Sequence, residues 1–382
     1  MKTCLVCGAP LPSEAFLSLP GMPACAQNMP TLAELPSDRG VDLSLFQCAS
    51  CGLVQLDCPP VPYFRDVIRA GGGTKTMVEL RRAQYRHFIT RCGLEGRRVL
   101  EVGCGQGEFL EILREFPVRA YGIENNPELV EKAVAKGLSV VRDFAAGSGH
   151  RIPEAPYDAF VQFNFIEHQP DPNGMVRCIH ENLVEGGFGL VTAPAFEYIR
   201  NDCAYEIMRD HIAYYTDGAL RLLFSRNGFD VLESGVVNRD TNYVIVQKRE
   251  VLTCGTFRTN MAEIRSGVNA FLSRIHAEGR RIAFWGASHQ CFTVASFLEQ
   301  PGKVAYIVDS APFKQGRYSP ASHIKIVPPD TFYGDAVDDV LVLAPGYTDE
   351  IAGLIRQHVH RPNLRIFALR SEKVEQLYPP QS

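Results

Sequence analysis

The sequence predicts an α/β protein of several layers, and three observations carry that reading. The stretch Arg98–Leu110 runs an apolar strand (Val99, Leu100, Val102) into glycines at alternate positions, Gly103, Gly105 and Gly107, and then into a helix with Phe109, Leu110 and Leu113 at apolar positions. Glycines there let the backbone turn sharply and approach a ligand where a Cβ would collide. Strands and helices alternate from residue 97 to 250, and a second strand–turn–helix pattern begins at Arg280. Such alternation favours a parallel sheet covered on both faces. Ahead of both, residues 1–60 are rich in Cys and Pro and poor in long periodic runs. The expected organisation is a small metal-stapled domain over 1–60, an α/β domain with a lid over 61–250, and a second, smaller α/β domain over 251–382.

Bulk properties set the class. At 382 residues the chain is too long for one ordinary domain. An apolar fraction of 46% and a charged fraction of 21% suit packed cores. A net charge of -4, with Lys and Arg scattered, argues against nucleic acid as a partner. No apolar stretch reaches the length of a membrane span, so no membrane partner is expected. The start Met1-Lys-Thr-Cys lacks the apolar region of a signal peptide. With twelve cysteines and no export signal, reduced thiols and a cytoplasmic location are expected.

The first domain contains two C-x-x-C-G knuckles, Cys4-Leu-Val-Cys7-Gly8 and Cys48-Ala-Ser-Cys51-Gly52. The glycine after each pair permits a tight turn that aims both thiols at one ion. Four thiolates make a closed tetrahedral Zn2+ site of structural type. A segment this poor in core residues needs such a staple. Cys25 and Cys58 lack partners at that spacing and read as bystanders. Gly52–Leu56 reads as a strand.

In the second domain, Tyr63, Phe64 and Gly71–Gly73 mark either a linker or a lid over a cofactor. Residues 77–95 read as an amphipathic helix. Glu101, immediately before the glycine loop, separates this stretch from a dinucleotide fingerprint, which wants G-x-G-x-x-G and a phosphate at the helix N-terminus. The next strand ends at Glu124-Asn125, about 20 residues past the glycine loop, where an acid captures ribose hydroxyls. A third strand, Leu138–Asp143, brings Asp143 as a candidate acceptor for an adenine amino group. Phe144 after it either stacks on the ring or belongs to the core. The fourth strand, from Tyr157, releases Asn164 and His168 at its carboxyl end, where ligands bind in open α/β sheets. Gly186-Gly187 reads as a turn into a fifth strand, Phe188–Ala193. The segment Tyr205–Thr216 holds Asp210, His211, Tyr214 and Tyr215, and Thr216 reads as the N-cap of a helix over 217–227. His211 is either a general base biased by Asp210 or a surface loop histidine.

Residues 251–277 read as a connecting helix. The third domain follows with strands Arg281–Trp285, Val304–Asp309, Asp339–Pro345 and Leu364–Leu369. Its loop Gly286-Ala-Ser288 is a degenerate glycine loop, so a bound dinucleotide is not expected. Lys314 and Arg317 either neutralise a phosphate or are solvated loop charges.

The string Glu101-Val-Gly-Cys-Gly-Gln-Gly107 resembles motif I of the class I S-adenosylmethionine (SAM) methyltransferases. In these the acid and the loop hold the methionyl part, whose ammonium suits a carboxylate. The whole chain resembles the bacterial nucleotide-sugar C-methyltransferases of deoxysugar biosynthesis. Its marks are the four knuckle cysteines, Glu101–Gly107, Asp210-His211, Gly286-Ala-Ser288 and Phe313-Lys-Gln-Gly-Arg-Tyr-Ser-Pro320. The resemblance implies a zinc domain, a class I SAM methyltransferase domain and a Rossmann-like C-terminal domain. It implies SAM as cofactor and Zn2+ as structural metal. The substrate would be a small molecule, a nucleotide-linked ketosugar, methylated at carbon through an enolate by a monomer or homodimer. His211 matches the family base and His168 a second family histidine. Glu101, Gly103, Gly105, Gly107, Glu124, Asn125, Asp143, Phe144 and Asn164 are the expected cofactor contacts. The family segment Tyr-x-Glu-His reads Met208-Arg209-Asp210-His211 here, and the family's lid tyrosine has no match near Arg69–Gly73. These departures keep O-methylation of a sugar or other hydroxyl as the second reading.

Overall fold

The computed structural model describes residues 2–66, 73–251 and 254–379. It divides into two compact units, Met1–Glu250 and Val251–Ser382. Most of the glycine run read as a lid, and the Arg69 neighbourhood, lie outside the described residues.

In the first unit the strands are β1 (Leu17–Met22), β2 (Val41–Gln47), β3 (Val54–Leu56), β4 (Arg98–Val102), β5 (Arg119–Glu124), β6 (Val140–Arg142), β7 (Tyr157–Phe163), β8 (Leu183–Pro194), β9 (Ala213–Tyr214), β10 (Phe229–Val237) and β11 (Thr241–Lys248). The helices are α1 (Lys75–Cys92), α2 (Glu108–Leu113), α3 (Pro127–Ala135), α4 (Pro172–Glu181), α5 (Phe196–Asp202) and α6 (Asp217–Arg226). Thr74 caps α1 by accepting from the Met77 amide at 3.3 Å, and Gly93 ends it in the left-handed region. Thr216 caps α6 through the Ala219 amide at 3.1 Å.

The main sheet runs β10-β11-β8-β7-β4-β5-β6. The strands β4 to β8 are parallel, so their carboxyl ends share one edge. The sheet is mixed, however, not wholly parallel: β11 runs antiparallel to both β8 and β10. The hairpin turns at Asn238 and Arg239, both in the left-handed region (φ 50° and 69°). Asn-Arg carries no strong hairpin signature, which is why this reversal was not expected. Nor is Gly186-Gly187 a turn. Strand β8 passes through it, with Gly186 at φ 71° and a register irregularity against β7 between Tyr157 and Ala159. A Cβ on Gly187 would lie 3.0 Å from the Val184 carbonyl oxygen, so the glycines serve an irregular strand.

The cysteine-rich segment is built into this unit. A four-stranded sheet runs β1-β2-β3-β9, with Val54 opposite Tyr214 and Gln55 opposite Ala213. The Asn173 side chain of α4 donates to the carbonyls of Leu5 and Val6 at 2.7 and 3.1 Å, and Arg226 of α6 donates to the Val6 carbonyl. One buried apolar cluster contains Val6, Phe46 and Leu53 together with Leu100, Val191 and Phe224. Residues 1–60 and 61–250, read apart from sequence, therefore share a sheet and a core.

The second unit comprises α7 (Cys254–Ala277), β12 (Ile282–Trp285), α8 (His289–Ser296), β13 (Val304–Val308), β14 (Ile326–Val327), α9 (Pro329–Gly334), β15 (Asp339–Val342), α10 (Thr348–His358), β16 (Arg365–Arg370) and β17 (Lys373–Tyr378). Its sheet runs β14-β13-β12-β15-β16-β17, which in the unit's own strands is the doubly wound order 3-2-1-4-5-6. The last strand is antiparallel. Separate apolar clusters cover the two faces, around Phe284 and Leu341 on one and Trp285 and Val340 on the other.

At the amino end of β15, the fully buried carboxylate of Asp339 accepts from Arg280 (2.7 and 3.0 Å) and from Arg365 (2.8 and 2.9 Å). Burial pushes this carboxyl up, and the two guanidiniums outweigh it and hold it below the ordinary carboxylate range. Removing one member of such a buried set leaves uncompensated charge. Asp339→Ala is expected to destabilise the second unit by about 3–5 kcal/mol, read by urea unfolding. A loss below about 1 kcal/mol would mean the two arginines are adequately solvated without it.

Candidate cofactor crevice, histidine pair and metal centre

The two cysteine knuckles have matching backbones. In each, the glycine amide donates to the carbonyl of the first cysteine at 2.9 Å (Gly8 to Cys4, Gly52 to Cys48). Each first cysteine donates at 2.8 Å to the residue that follows the glycine (Cys4 to Ala9, Cys48 to Leu53). Both glycines sit at φ 77°, a conformation that costs a glycine little. The turns bring Cys4 Sγ within 3.5 Å of Cys51 Sγ and Cys7 Sγ within 3.5 Å of Cys48 Sγ. All four sulfurs lie within 4.8 Å of one another. Tetrahedral Zn–S bonds of ~2.3 Å place sulfurs roughly 3.8 Å apart, so the four thiols fit a Zn2+ ion with no position left open. Burial pushes the Cys48 thiol up, but the amides of Cys51 and Ser50 outweigh it and bring the group down to about 7.

The cofactor crevice lies at the carboxyl ends of β4, β5 and β6. Glu101 is completely buried, with Gly122 of β5 and Val161 of β7 as its register partners. Gly103, Gly105 and Gly107 all take positive φ (73°, 60° and 87°). The Phe165 ring lies 3.4 Å from the point a Cβ on Gly103 would occupy, and Leu138 Cδ1 lies 2.1 Å from that of Gly107. Glu124 folds back on the loop, accepting from the Gly105 and Asn126 amides at 2.9 Å each. Burial pushes its carboxyl up, and those amides pull against that shift.

Gly103, Glu124, Asn125, Asp143, Phe144 and Phe165 line one small space of about 10 Å³ together with Arg65. The crevice is this narrow because the chain before α1 reaches into it. The Arg65 guanidinium lies 4.9 Å from the Phe144 ring centre, and Asp66 accepts from the Asn125 amide group at 2.6 Å. The residues fit SAM: an acid for ribose hydroxyls, aromatic walls for adenine, and a loop that lacks a Cβ at Gly103, Gly105 and Gly107.

Asp143 lines the crevice and also has a protein partner. Its carboxylate meets His150 Nε2 at 2.8 and 3.0 Å and accepts from the Phe144 amide at 2.8 Å. Asn164 sits at φ 46°, and its side-chain oxygen accepts from the Thr192 hydroxyl at 2.6 Å. Lys314 is paired with Asp309 at 3.0 Å, and Arg317 is exposed.

The two histidines lie 43 residues apart in sequence and meet in space, with ring centres 4.8 Å apart at 74°. His168 closes a single 3-10 turn, Ile166–His168, after β7. That turn is tied to the segment before β9 by the Ile212 amide donating to the Glu167 carbonyl at 3.0 Å and by His168 Nδ1 to the Asp210 carbonyl at 2.9 Å. Phe165 contacts both regions, with its ring centre 6.3 Å from Phe144 and 6.4 Å from His168. Burial lowers His168, and burial together with His168 lowers His211 to about 3, so both imidazoles are neutral at neutral pH.

The expected bias of His211 by the Asp210 carboxylate is replaced by another arrangement. That carboxylate accepts from the Tyr63 hydroxyl at 2.5 Å and the Ala26 amide at 2.9 Å, and it is the Asp210 backbone carbonyl that holds a histidine, His168. From sequence Tyr63 reads only as part of a segment that is either a linker or a lid. Its partner lies 147 residues away, a distance no local pattern reports. At Met208, where the family tyrosine is missing, the backbone is held from both sides by the Tyr214 hydroxyl at 2.9 and 3.0 Å.

Comparison with known proteins adds the following. Residues 77–234 match a methyltransferase domain and residues 245–366 a C-methyltransferase C-terminal domain. The C-methyltransferase NovU of Streptomyces niveus is 23% identical over 295 residues, 69% of this chain and 70% of that protein. A ubiquinone biosynthesis O-methyltransferase of Xanthomonas oryzae pv. oryzae is 32% identical over 123 residues, 31% of this chain and about half (52%) of that enzyme. A SAM-dependent methyltransferase structure from Clostridium acetobutylicum aligns with 45% of this chain and 92% of its own at 9% identity and a TM-score of 0.37. The first unit has the class I SAM methyltransferase α/β fold. No helix among the described residues is long and apolar enough to cross a membrane.

Two measurements test the crevice and the metal centre. Glu124→Ala removes the only carboxylate at the end of β5 and is expected to weaken SAM binding about 10- to 100-fold by calorimetry, the effect of losing charged hydrogen bonds. Purified protein is expected to carry one zinc per chain by elemental analysis. Cys51→Ser is expected to lose it and, because the knuckles share the core of the first unit, to lower the Tm by about 5–10 °C.

Proposed function

We propose that the chain, a SAM-dependent methyltransferase carrying a C-methyltransferase C-terminal domain, attaches a methyl group to the carbon beside a ketone of a nucleotide-linked ketosugar. The observation that carries this reading is the neutral histidine pair packed, through Phe165, against the glycine loop of the cofactor crevice. Bound SAM supplies an electrophilic methyl on a sulfonium. The remaining work is to make a carbon nucleophilic, which requires a base.

A C–H beside a ketone is acidic enough for an enzymic base. In this reading a neutral imidazole, His211, takes that proton and leaves the electron pair on the substrate as an enolate. Its value of about 3 in the free site fixes availability rather than strength: the lone pair is open at every pH above that value. The negative charge growing on the substrate then favours the imidazolium. Asp210 and Tyr63 act at one remove, because the Asp210 segment positions His168.

O-methyl transfer is supported by the Met208 departure and by the O-methyltransferase that matches part of the chain. The two readings separate in deuterated buffer. With S-adenosylhomocysteine present and no methyl donor, a nucleotide 4-ketosugar is expected to exchange the hydrogen beside its ketone. His211→Ala is expected to slow that exchange by about 100-fold or more, with cofactor binding retained. Methylation of a hydroxy compound, with no exchange on any ketosugar, would establish O-methyl transfer instead.

A further inference from the structure

Glu167 stands next to His168 and was assigned nothing by the sequence. Its side chain is 2% exposed. Oε1 lies 4.0 Å from His168 Nε2, and Oε2 has no hydrogen-bond partner among the described residues. One donor atom each from Glu167, His168 and His211 falls within 4.8 Å of the others. His211 Nδ1 is likewise buried without a partner.

The tautomer of His168 follows from its surroundings. Nδ1 faces the Asp210 carbonyl at 2.9 Å, and a carbonyl only accepts. The hydrogen therefore sits on Nδ1 and the lone pair on Nε2, which faces Glu167. A carboxylate oxygen and an imidazole lone pair would repel each other in a buried space. One proton between them removes the conflict, either on the carboxyl or on an imidazole. The site is thus a buried set of proton acceptors beside one hydroxyl, that of Tyr215, which also has no hydrogen-bond partner among the described residues.

We propose that Glu167 is a positioning carboxyl that receives the substrate proton from the His168–His211 pair, so that the three side chains form a relay. This rests on the C-methylation reading above. The substrate C–H bond breaks and an N–H bond forms on His211, with the electron pair staying on the substrate as the enolate. The N–H bond then breaks as an O–H bond forms on Glu167. Both imidazoles end neutral, Glu167 ends as the neutral acid, and the single negative charge it carried at the start is now on the enolate. In this scheme the ionised form of Glu167 is the competent one.

Burial raises the Glu167 carboxyl to about 8 against a weaker downward pull from its own backbone amide, far above His211 at about 3, so of these two groups the carboxyl is the more favourable resting place for the proton. The groups facing it are His168 on its own turn, His211 on the segment before β9, and the buried Tyr215 hydroxyl after β9. Tyr215 is itself raised well above its ordinary value and remains protonated. The sign for activity follows: exchange rises with pH as Glu167 loses its resting proton and levels off above about 8.

The test uses the full-length protein and Glu167→Gln, which keeps the shape and cannot ionise. Three readouts are taken: exchange of the ketosugar hydrogen against pH, the infrared protonated-carboxyl band against pH, and metal content. The expected results are a wild-type exchange rate that climbs about tenfold per pH unit below its plateau, and a Glu167→Gln rate that is at least tenfold lower and flat over that range. The infrared band is expected to vanish from the wild type near pH 8 and to be missing from Glu167→Gln, with cofactor affinity equal in the two proteins. An unchanged pH profile in Glu167→Gln would overturn the relay. So would a second equivalent of divalent cation, lost in Glu167→Gln, since that would make the trio a metal site. If no ketosugar exchanges at all, the C-methylation reading falls, and the infrared titration still decides whether Glu167 holds the proton.

Discussion

The candidate site depends on two hydrogen bonds that join the turn after β7 to the chain before β9: Ile212 to the Glu167 carbonyl, and His168 Nδ1 to the Asp210 carbonyl. Without them the two histidines would sit on separate loops. With them, one imidazole has a defined tautomer and faces both a second imidazole and a carboxyl. The bonds also explain why the acid at 210 matters through its backbone. Its carboxylate is turned the other way, toward Tyr63 and the Ala26 amide.

The same segment connects the cysteine knuckles to the chemistry. Ile212 accepts from the Leu56 amide at 3.0 Å, and β9, directly after it, completes the sheet begun by β1, β2 and β3. A closed four-thiol site has no vacancy for catalysis. Its contribution is mechanical: it holds β3, against which the histidine segment is aligned.

The two α/β units use the same device at the end of their second strands. Glu124 accepts from the Gly105 amide at 2.9 Å, and Asp309 accepts from the Ala287 amide at 2.8 Å. The difference lies in what else each acid meets. Asp309 also binds Lys314 and the Ala311 amide, so its charge is matched within the loop. Among the described residues Glu124 has amides as its hydrogen-bond partners, which leaves its charge open to a ligand's hydroxyls. One strand end is therefore closed by its own sequence and the other is available. In the first unit, burial rather than neighbouring charge sets the proton affinities of Glu167, His168 and His211.

How much was legible in the chain follows from the range of each signal. The strand–glycine loop–helix of Arg98–Leu113, the second α/β pattern, the paired knuckles and the Thr216 cap are written in residues a few positions apart, where backbone sterics and periodicity act directly. The sequence by itself determined those elements and the residue types of the cofactor loop. It misjudged Gly186-Gly187 and the direction of β11, because a glycine pair fits a turn or an irregular strand equally well, and Asn-Arg is a weak hairpin signal. Only the tertiary structure decided that the knuckles share a core with the methyltransferase sheet, that Tyr63 meets Asp210, and that Glu167 joins two histidines. The physical reason is common to all three. Each depends on burial and hydrogen bonds between segments tens to hundreds of residues apart, and the energy of a buried polar group is set by what the fold places around it.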